Sequence, residues 1–427
     1  MMTSAMPDIA RPIVMVLVGM YSPGYKAGGP IRSLQNMVSA IGEEFHFKIV
    51  TLDRDLGDKE PFAGIATGQW LRVGNADVMY LPPRLRGLPS LWSLHRSLDQ
   101  NTVLYVNSFY ARRSMLAVFM HFFGLCCTRR LVLAPRGEFA PGAMQFKSLR
   151  KRWYIKICQW LGIYEGVVWH ASSDFEAADI RRQFPRAKHI DVADVVFDFG
   201  TGNRRTRKSE VATAPDIASQ VLPQSQYRQP KRPGQLRVVF VARIARNKNL
   251  AGALRMLRGV LGDVSFDIYG PAENANYWEE CQALIAELPP NIQVRYWGQV
   301  EHEKVWQVFG EHDLFLFPTL GENYGHVICE ALASGCPVLL SDQTPWRNLE
   351  EQGIGWGIPL SDTGRFQSVL QQCVDGDEMW HAELSKRAMD YAAKHAFAPE
   401  TIDANRKLFH WAFARPDHAD AVEAFPA

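Results

Sequence analysis

From residue 236 onward, short apolar runs rich in β-branched residues alternate strictly with amphipathic stretches. No other feature of the sequence narrows the possible folds as much. The runs are 236-LRVVFVAR-243, 264-VSFDIYG-270, 292-IQVRYWG-298, 314-LFLFP-318 and 337-PVLLS-341. Between them lie 249-NLAGALRMLRGVLG-262, 276-NYWEECQALIAEL-288 and 303-EKVWQVFGEH-312. Strand and helix in alternation build βαβ units and a parallel sheet covered on both faces. A ligand is then expected in a crevice at the carboxyl ends of the strands.

The first half repeats the pattern less cleanly, with strand candidates 13-IVMVLVG-19, 47-FKIVTL-52, 103-VLYVN-107, 131-LVLAP-135 and 167-VVWHAS-172. The first of these runs into a Gly-rich loop, 22-SPGYKAGGP-30, and then a helix pattern. A chain of 427 residues is too long for one ordinary core. The expected architecture is therefore α/β, with two Rossmann-like doubly wound domains at 1–200 and 236–396. The polar, Pro-rich stretch 201–235 reads as a linker, and 397–427 as a C-terminal helix and tail packing back toward the first domain.

Composition excludes several classes. A formal charge of +2 argues against a dedicated nucleic-acid binder. The seven cysteines form no CxxC pair and most sit in apolar surroundings, as buried free thiols in a reducing, cytoplasmic compartment do. The apolar runs 13–20 and 115–127 are too short to span a bilayer, which takes roughly 20 residues. No GxGxxG follows a candidate strand, which disfavours a dehydrogenase.

Chemistry gathers at two strand ends of the second domain. After 236–243 come Arg243, Arg246 and Lys248, cations beside a helix start, suited to an anion. After 314–318 comes 319-TLGENYG-325, where Gly321 and Gly325 let backbone approach a ligand and Glu322 sits at the tip. The following helix pattern carries Glu330 among Val327, Ile328, Cys329, Ala331, Leu332 and Ala333. A carboxylate in such a place is costly unless its hydrogen bonds are completed. Two cations and two carboxylates at one crevice suit a nucleoside diphosphate sugar: the cations for the diphosphate, the carboxylates for ribose and sugar hydroxyls. The strand end 297-WGQV-300, with Gly298 and Val300, offers backbone groups for a base, and Gly270 is a further donor-binding candidate.

The Glu-x7-Glu spacing of Glu322 and Glu330, the Arg243 and Lys248 pair and the Gly28-Gly29 loop resemble the family 4 retaining glycosyltransferases (glycosyl transferases group 1). The resemblance is strongest over 236–345. It implies the GT-B fold, two Rossmann-like domains facing a central cleft. It also implies that Arg243 and Lys248 neutralise the leaving diphosphate, that Glu330 holds the donor ribose and that Glu322 contacts the transferred sugar. Asn323, Tyr324 and Gly325 would assist through their amides, and Gly28 and Gly29 would let the N-terminal loop close over the diphosphate. Where many members of that family carry a His after the strand corresponding to 131–135, this chain has Pro135-Arg136-Gly137-Glu138. Arg136 is expected to take part of that contact and Glu138 to orient the acceptor. His170 is expected in the core, with a cleft-facing role as the alternative.

Asp53-Arg54-Asp55 has a spacing used for divalent ions elsewhere, but the expected reading is a loop, with no metal and no cofactor beyond the nucleotide sugar. Segment 101–160 holds ten Lys and Arg against Glu138 alone, interleaved with aromatics. Such a surface suits an anionic membrane or a pyrophosphate-linked lipid acceptor, at the inner face of the plasma membrane. The expected function is transfer of a sugar to a glycan or lipid-linked acceptor in surface polysaccharide or lipopolysaccharide biosynthesis. The rival readings are a nucleotide-sugar 2-epimerase and a non-catalytic glycan- or nucleotide-binding protein.

Overall fold

The computed structural model describes residues 11–26, 28–83, 98–126, 128–140, 143–144, 148–193, 229–395 and 398–414. Two units divide them, one within Met1–Ala140, Met144–Val196 and Pro399–Ala427, the other within Pro141–Ala143 and Phe197–Ala398. Most of the expected linker, residues 201–228, lies outside the described residues, as do Cys127 and the end of the tail.

The first unit runs β1 (Ile13–Leu17), α1 (Gly29–Ile41), β2 (His46–Leu52), β3 (Trp70–Val73), β4 (Ala76–Leu81), β5 (Thr102–Asn107), α2 (Arg112–Phe122), β6 (Arg130–Ala134), α3 (Ser148–Trp160), β7 (Val168–Ala171), α4 (Asp174–Gln183) and β8 (His189–Val192). Its sheet has the order β3-β4-β2-β1-β5-β6-β7-β8 and is parallel except for the β3–β4 hairpin. Side chains alternate across β1: Val14 and Val16 enter one core with Leu34 and Met37 of α1. Met15 and Leu17 enter the other with Val118 of α2, Ile155 of α3 and Ile180 of α4. Both faces are covered, so these strands read as continuous apolar runs.

The second unit runs β9 (Gln235–Val241), α5 (Leu250–Leu257), β10 (Asp263–Tyr269), α6 (Ala275–Ala286), β11 (Ile292–Gly298), α7 (His302–Gly310), β12 (Leu314–Phe317), α8 (His326–Ala333), β13 (Val338–Ser341), β14 (Gly355–Ile358), α9 (Thr363–Asp375) and α10 (Glu378–His395). All pairings in its sheet, ordered β11-β10-β9-β12-β13-β14, are parallel. Strand order reverses between β9 and β12, the point at which doubly wound sheets open a crevice for ligands. The corresponding reversal in the first unit lies between β1 and β5.

The last helix, α11 (Pro399–Phe413), belongs to the first unit. Phe409 packs on Phe45, Phe47 and Tyr105, and Arg406 pairs with Glu44 at 2.8 Å. β3, β4, β8 and β14 were not among the expected strands. β3, β8 and β14 have four residues each, and β14 has the sequence GWGI, with half its positions glycine.

Candidate functional site

The loops leaving β9 and β12 are stitched together by backbone. A short 3-10 turn, Arg246–Lys248, ends at Asn249, which takes a left-handed conformation at φ 58°. Asn249 caps α5 through Gly252 N and donates from Nδ2 to the Pro318 carbonyl at 2.8 Å. The Asn247 carbonyl accepts from Leu320 N at 2.8 Å and from the Thr319 hydroxyl at 2.9 Å. The three bonds to Pro318, Leu320 and Thr319 fix the two loops against each other at the crevice.

That stitching brings Lys248 Nζ to 2.5 Å from Glu322 Oε2, with their side chains 13% and 16% exposed. The Glu322 amide donates to the Gln343 carbonyl, at 2.9 Å, in the loop after β13. Gly325, at φ 82°, opens α8; a Cβ there would lie 2.7 Å from Ile328 Cδ1 and 3.0 Å from Glu322 Cγ, so the turn has room for glycine alone. Asn323 donates from its amide to Glu322 Oε1 at 3.3 Å, and Trp346 Nε1 holds the Tyr324 carbonyl at 2.6 Å. Glu330 is buried, 3% exposed, one turn into α8 among residues that are themselves buried.

Arg243 sits at the same strand end but is drawn aside. Ile244 bridges to Ala272 after β10, and this carries Arg243 to Glu273 at 2.6 Å, a half-exposed pair. The structure thus joins Lys248 directly to Glu322 and gives Arg243 a separate carboxylate. Beyond it, Gly270 donates from its amide to the Gly298 carbonyl at 2.7 Å, and the Tyr296 hydroxyl donates to the Gly270 carbonyl at 3.0 Å. Gly270 has φ 136°, and a Cβ there would stand 1.9 Å from the Ala242 carbonyl oxygen. Val300 packs against the core just past the end of β11.

In the first unit the Gly-rich loop after β1 is held by a carboxylate. Asp55 accepts from the amides of Tyr25 at 2.7 Å and Lys26 at 3.0 Å through Oδ2, and from Leu56 N through Oδ1 at 2.8 Å. Asp53 pairs with its neighbour Arg54 at 2.8 Å. The Asp-x-Asp motif therefore shapes a loop, and among the described residues no cluster of three or more His, Cys, Asp or Glu could hold a metal ion. Gly28, at φ 68°, precedes α1, and Gly29 begins it.

After β6, Arg136 adopts φ 55°, a left-handed conformation that non-glycine residues seldom take. Its guanidinium donates to the Tyr105 hydroxyl at 2.8 Å, Tyr105 lies 2.8 Å from His170 Nδ1, and His170 Nε2 lies 2.9 Å from the Ala193 carbonyl. Because Arg136 can only donate, the bonds order themselves: Tyr105 donates to Nδ1, and the neutral imidazole donates from Nε2. Burial, reinforced by the charge of Arg136, pushes the His170 pKa down to about 3. His170 is thus a core residue, 1% exposed.

Glu138 is engaged by the loop after β5. It accepts from the Ser108 hydroxyl at 2.6 Å and from the amides of Phe109 and Tyr110, and burial raises its pKa. A second carboxylate, Glu176, accepts from Gly137 N at 2.5 Å and from Ser172. Glu176 thus holds the amide next to Arg136, and Glu138 ties the Arg136 loop to the loop after β5. Asn249, Asp55, Tyr105, Glu176 and Gln343 were not anticipated as site-shaping residues. Asn249 alone had a local signal, an Asn directly before an apolar helical pattern.

Residues 224–394 match the family model of glycosyl transferases group 1. Phosphatidyl-myo-inositol mannosyltransferase of Mycobacterium leprae (strain TN) is 26% identical over 146 residues, 33% of this chain and 37% of that protein. The chain thus matches little more than a third of that relative's length. Among solved structures, sucrose-phosphate synthase from Thermosynechococcus elongatus superposes with a TM-score of 0.66 at 17% identity, covering 94% of this chain and 100% of that one. Anabaena Alr3699/HepE in complex with UDP and glucose gives 0.63 at 15% identity, covering 94% and 99%. Likeness over nearly the whole length, with two parallel α/β sheets, makes the fold GT-B. The loops that join Lys248 to Glu322 and the helix that buries Glu330 all lie inside residues 224–394, the stretch that matches the glycosyl transferases group 1 model.

Proposed function

We propose that the chain transfers a sugar, with retention, from a nucleoside diphosphate sugar to a glycan or lipid-linked acceptor in surface polysaccharide assembly. The observation that carries this reading is the Lys248–Glu322 pair of 2.5 Å at the β9/β12 reversal, beside the start of α8 and the buried Glu330. Lys248 is held ready to meet a diphosphate, and Glu322 holds it. Leaving-group charge developing on the diphosphate would draw Lys248 toward itself, an interaction that strengthens as the bond to the sugar breaks. Arg243 would add a second cation once it leaves Glu273. Glu330 would accept from ribose hydroxyls, and the nucleotide sugar would be the co-substrate without a metal or further cofactor.

The donor class is supported by the UDP and glucose carried by the Anabaena neighbour, and a lipid-linked acceptor by the name of the Mycobacterium relative. The basic segment of the first unit supports work at the inner face of an anionic membrane. Thermal unfolding with UDP, GDP and ADP, with and without their sugars, tests the donor site. At about a hundred times its Kd, the right nucleotide should add roughly 2.7 kcal/mol of stability, absent in Arg243→Ala/Lys248→Ala. No shift with any nucleotide would overturn the reading. Sugar product released without an acceptor would replace transfer by epimerisation, and binding without turnover would leave a binding protein.

A further inference from the structure

Helix α3 has an outer face that no part of the described chain covers. Its sequence, 148-SLRKRWYIKICQW-160, contains no acidic residue and four cations. The inner face is spent on the core: Ile155 and Cys158 are buried, with Tyr154 packed beside them. Outward, Leu149 is 72% exposed, Trp153 66%, Ile157 50% and Trp160 83%. With successive residues about 100° apart around a helix, these four fall within an arc of about 80°. Arg150 borders that arc on one side, and Arg152 and Lys156 on the other. All three cations are exposed, and none has an ion-pair partner among the described residues.

Burying large apolar side chains in the core is the ordinary outcome; two exposed tryptophans side by side on one helix face, flanked by a leucine and an isoleucine, are not. Tryptophan favours a bilayer interface, where its ring meets acyl chains and its N–H meets headgroups. Cations bordering such a stripe select an anionic surface, and charge complementarity therefore names the occupant. We propose that α3 lies in the plane of an anionic lipid bilayer, with Leu149, Trp153, Ile157 and Trp160 inserted among the acyl chains and Arg150, Arg152 and Lys156 on lipid phosphates. This deepens the membrane part of the proposed function, and it stands on the helix face rather than on the donor site.

The test is flotation of the full chain with vesicles of phosphatidylcholine alone and with phosphatidylglycerol mixed in. Wild type should float with the anionic vesicles and not with the neutral ones. Trp153→Ser/Trp160→Ser should weaken that binding by about tenfold or more. Arg150→Gln/Arg152→Gln/Lys156→Gln should weaken it by about a hundredfold. Tryptophan emission from wild type should shift to shorter wavelength on the anionic vesicles and stay put in the double variant. All these positions are exposed, so the variants should unfold at the wild-type temperature and keep the nucleotide-dependent shift. Equal flotation on both vesicles, or variants that float as wild type does, would overturn the proposal while leaving the donor reading intact. A change of oligomeric state in Trp153→Ser/Trp160→Ser, with no vesicle binding in wild type, would assign the face to a second copy instead.

Discussion

Lys248 and Glu322 belong to loops 74 residues apart in sequence and meet at 2.5 Å, both largely shielded from water. The pairing makes opposite predictions for its two members. Lys248→Ala removes the cation that would meet the diphosphate, so nucleotide-induced stabilisation and transfer should both be lost. Glu322→Gln keeps the lysine and removes a competing anion. It should bind free nucleoside diphosphate more tightly than wild type while transferring sugar about 100–1000-fold more slowly. Calorimetric titration with the nucleotide and a single-turnover assay with its sugar would separate the two; weaker nucleotide binding in Glu322→Gln would refute the assignment.

Gly270 and Gly298 both have positive φ at neighbouring strand ends and are linked by one hydrogen bond, yet they should respond differently to alanine. At Gly270 the new methyl meets the Ala242 carbonyl 1.9 Å away, which forces β9 and β10 apart. The cost should be about 3 kcal/mol or more, with donor binding lost as well. At Gly298 a Cβ has nothing within 4 Å, so Gly298→Ala should cost about 1–2 kcal/mol from backbone conformation alone. Urea unfolding of the two variants reads the contrast directly, and equal losses would contradict it.

The second sheet was legible because β9, β12 and β13 carry runs of buried apolar residues, Val238–Val241, Leu314–Phe317 and Val338–Leu340, while β10 alternates Val264, Phe266 and Ile268 with Ser265 and Asp267. β3 and β4 lack such a run, and their signal is the hairpin turn Gly74-Asn75 between 70-WLRV-73 and 76-ADVMYL-81. β14 has no side-chain pattern to find, since its register is set by β13 beside it. The same division holds for the site. Glu322, Glu330 and Lys248 stand out as charges at strand ends or in an apolar helix. Gln343 and Asp55 matter through main-chain bonds to segments distant in sequence, and Tyr105 through a side chain reached only when β5, β6 and β7 lie side by side. Arg243 was legible as a cation, but its diversion to Glu273 depends on the Ile244–Ala272 bridge, which local sequence does not specify.

Arg136 is anchored by Tyr105, which is anchored in turn by His170. If Tyr105 works through Arg136, then Tyr105→Phe should lower transfer by about tenfold in an otherwise wild-type chain. It should have no further effect in an Arg136→Ala background. Additive losses would mean that Tyr105 acts on its own. The nucleotide-induced shift should survive in Tyr105→Phe.

The buried, neutral His170 carries a pH signature. An unfolded histidine takes up its proton near pH 6.5, the folded one not until about pH 3. Between these values the unfolded chain binds the extra proton, so stability falls as pH drops through the window, by up to about 1.4 kcal/mol per pH unit. His170→Gln can still accept from Tyr105 and donate to the Ala193 carbonyl but does not titrate. Its stability should therefore fall less steeply than that of wild type from pH 6.5 to 4, measured by urea midpoints across that range. Parallel profiles would show that His170 is protonated in the fold.

Asp55 distinguishes a loop-shaping carboxylate from a metal ligand. Among the described residues it accepts from three main-chain amides, Tyr25 and Lys26 of the Gly-rich loop and its neighbour Leu56, and Asp53 is engaged by Arg54. Asp55→Ala leaves those amides to water and should cost about 1–3 kcal/mol, lowering the unfolding temperature with or without divalent ions. Transfer by wild type should be unchanged by EDTA, and transfer by Asp55→Ala should not be restored by magnesium or manganese. A metal site would behave in the opposite way: the chelator would abolish turnover, and excess ion would rescue it. The expected pattern follows from the geometry, since an aspartate whose oxygens already accept three short bonds from the chain has little left to offer a cation.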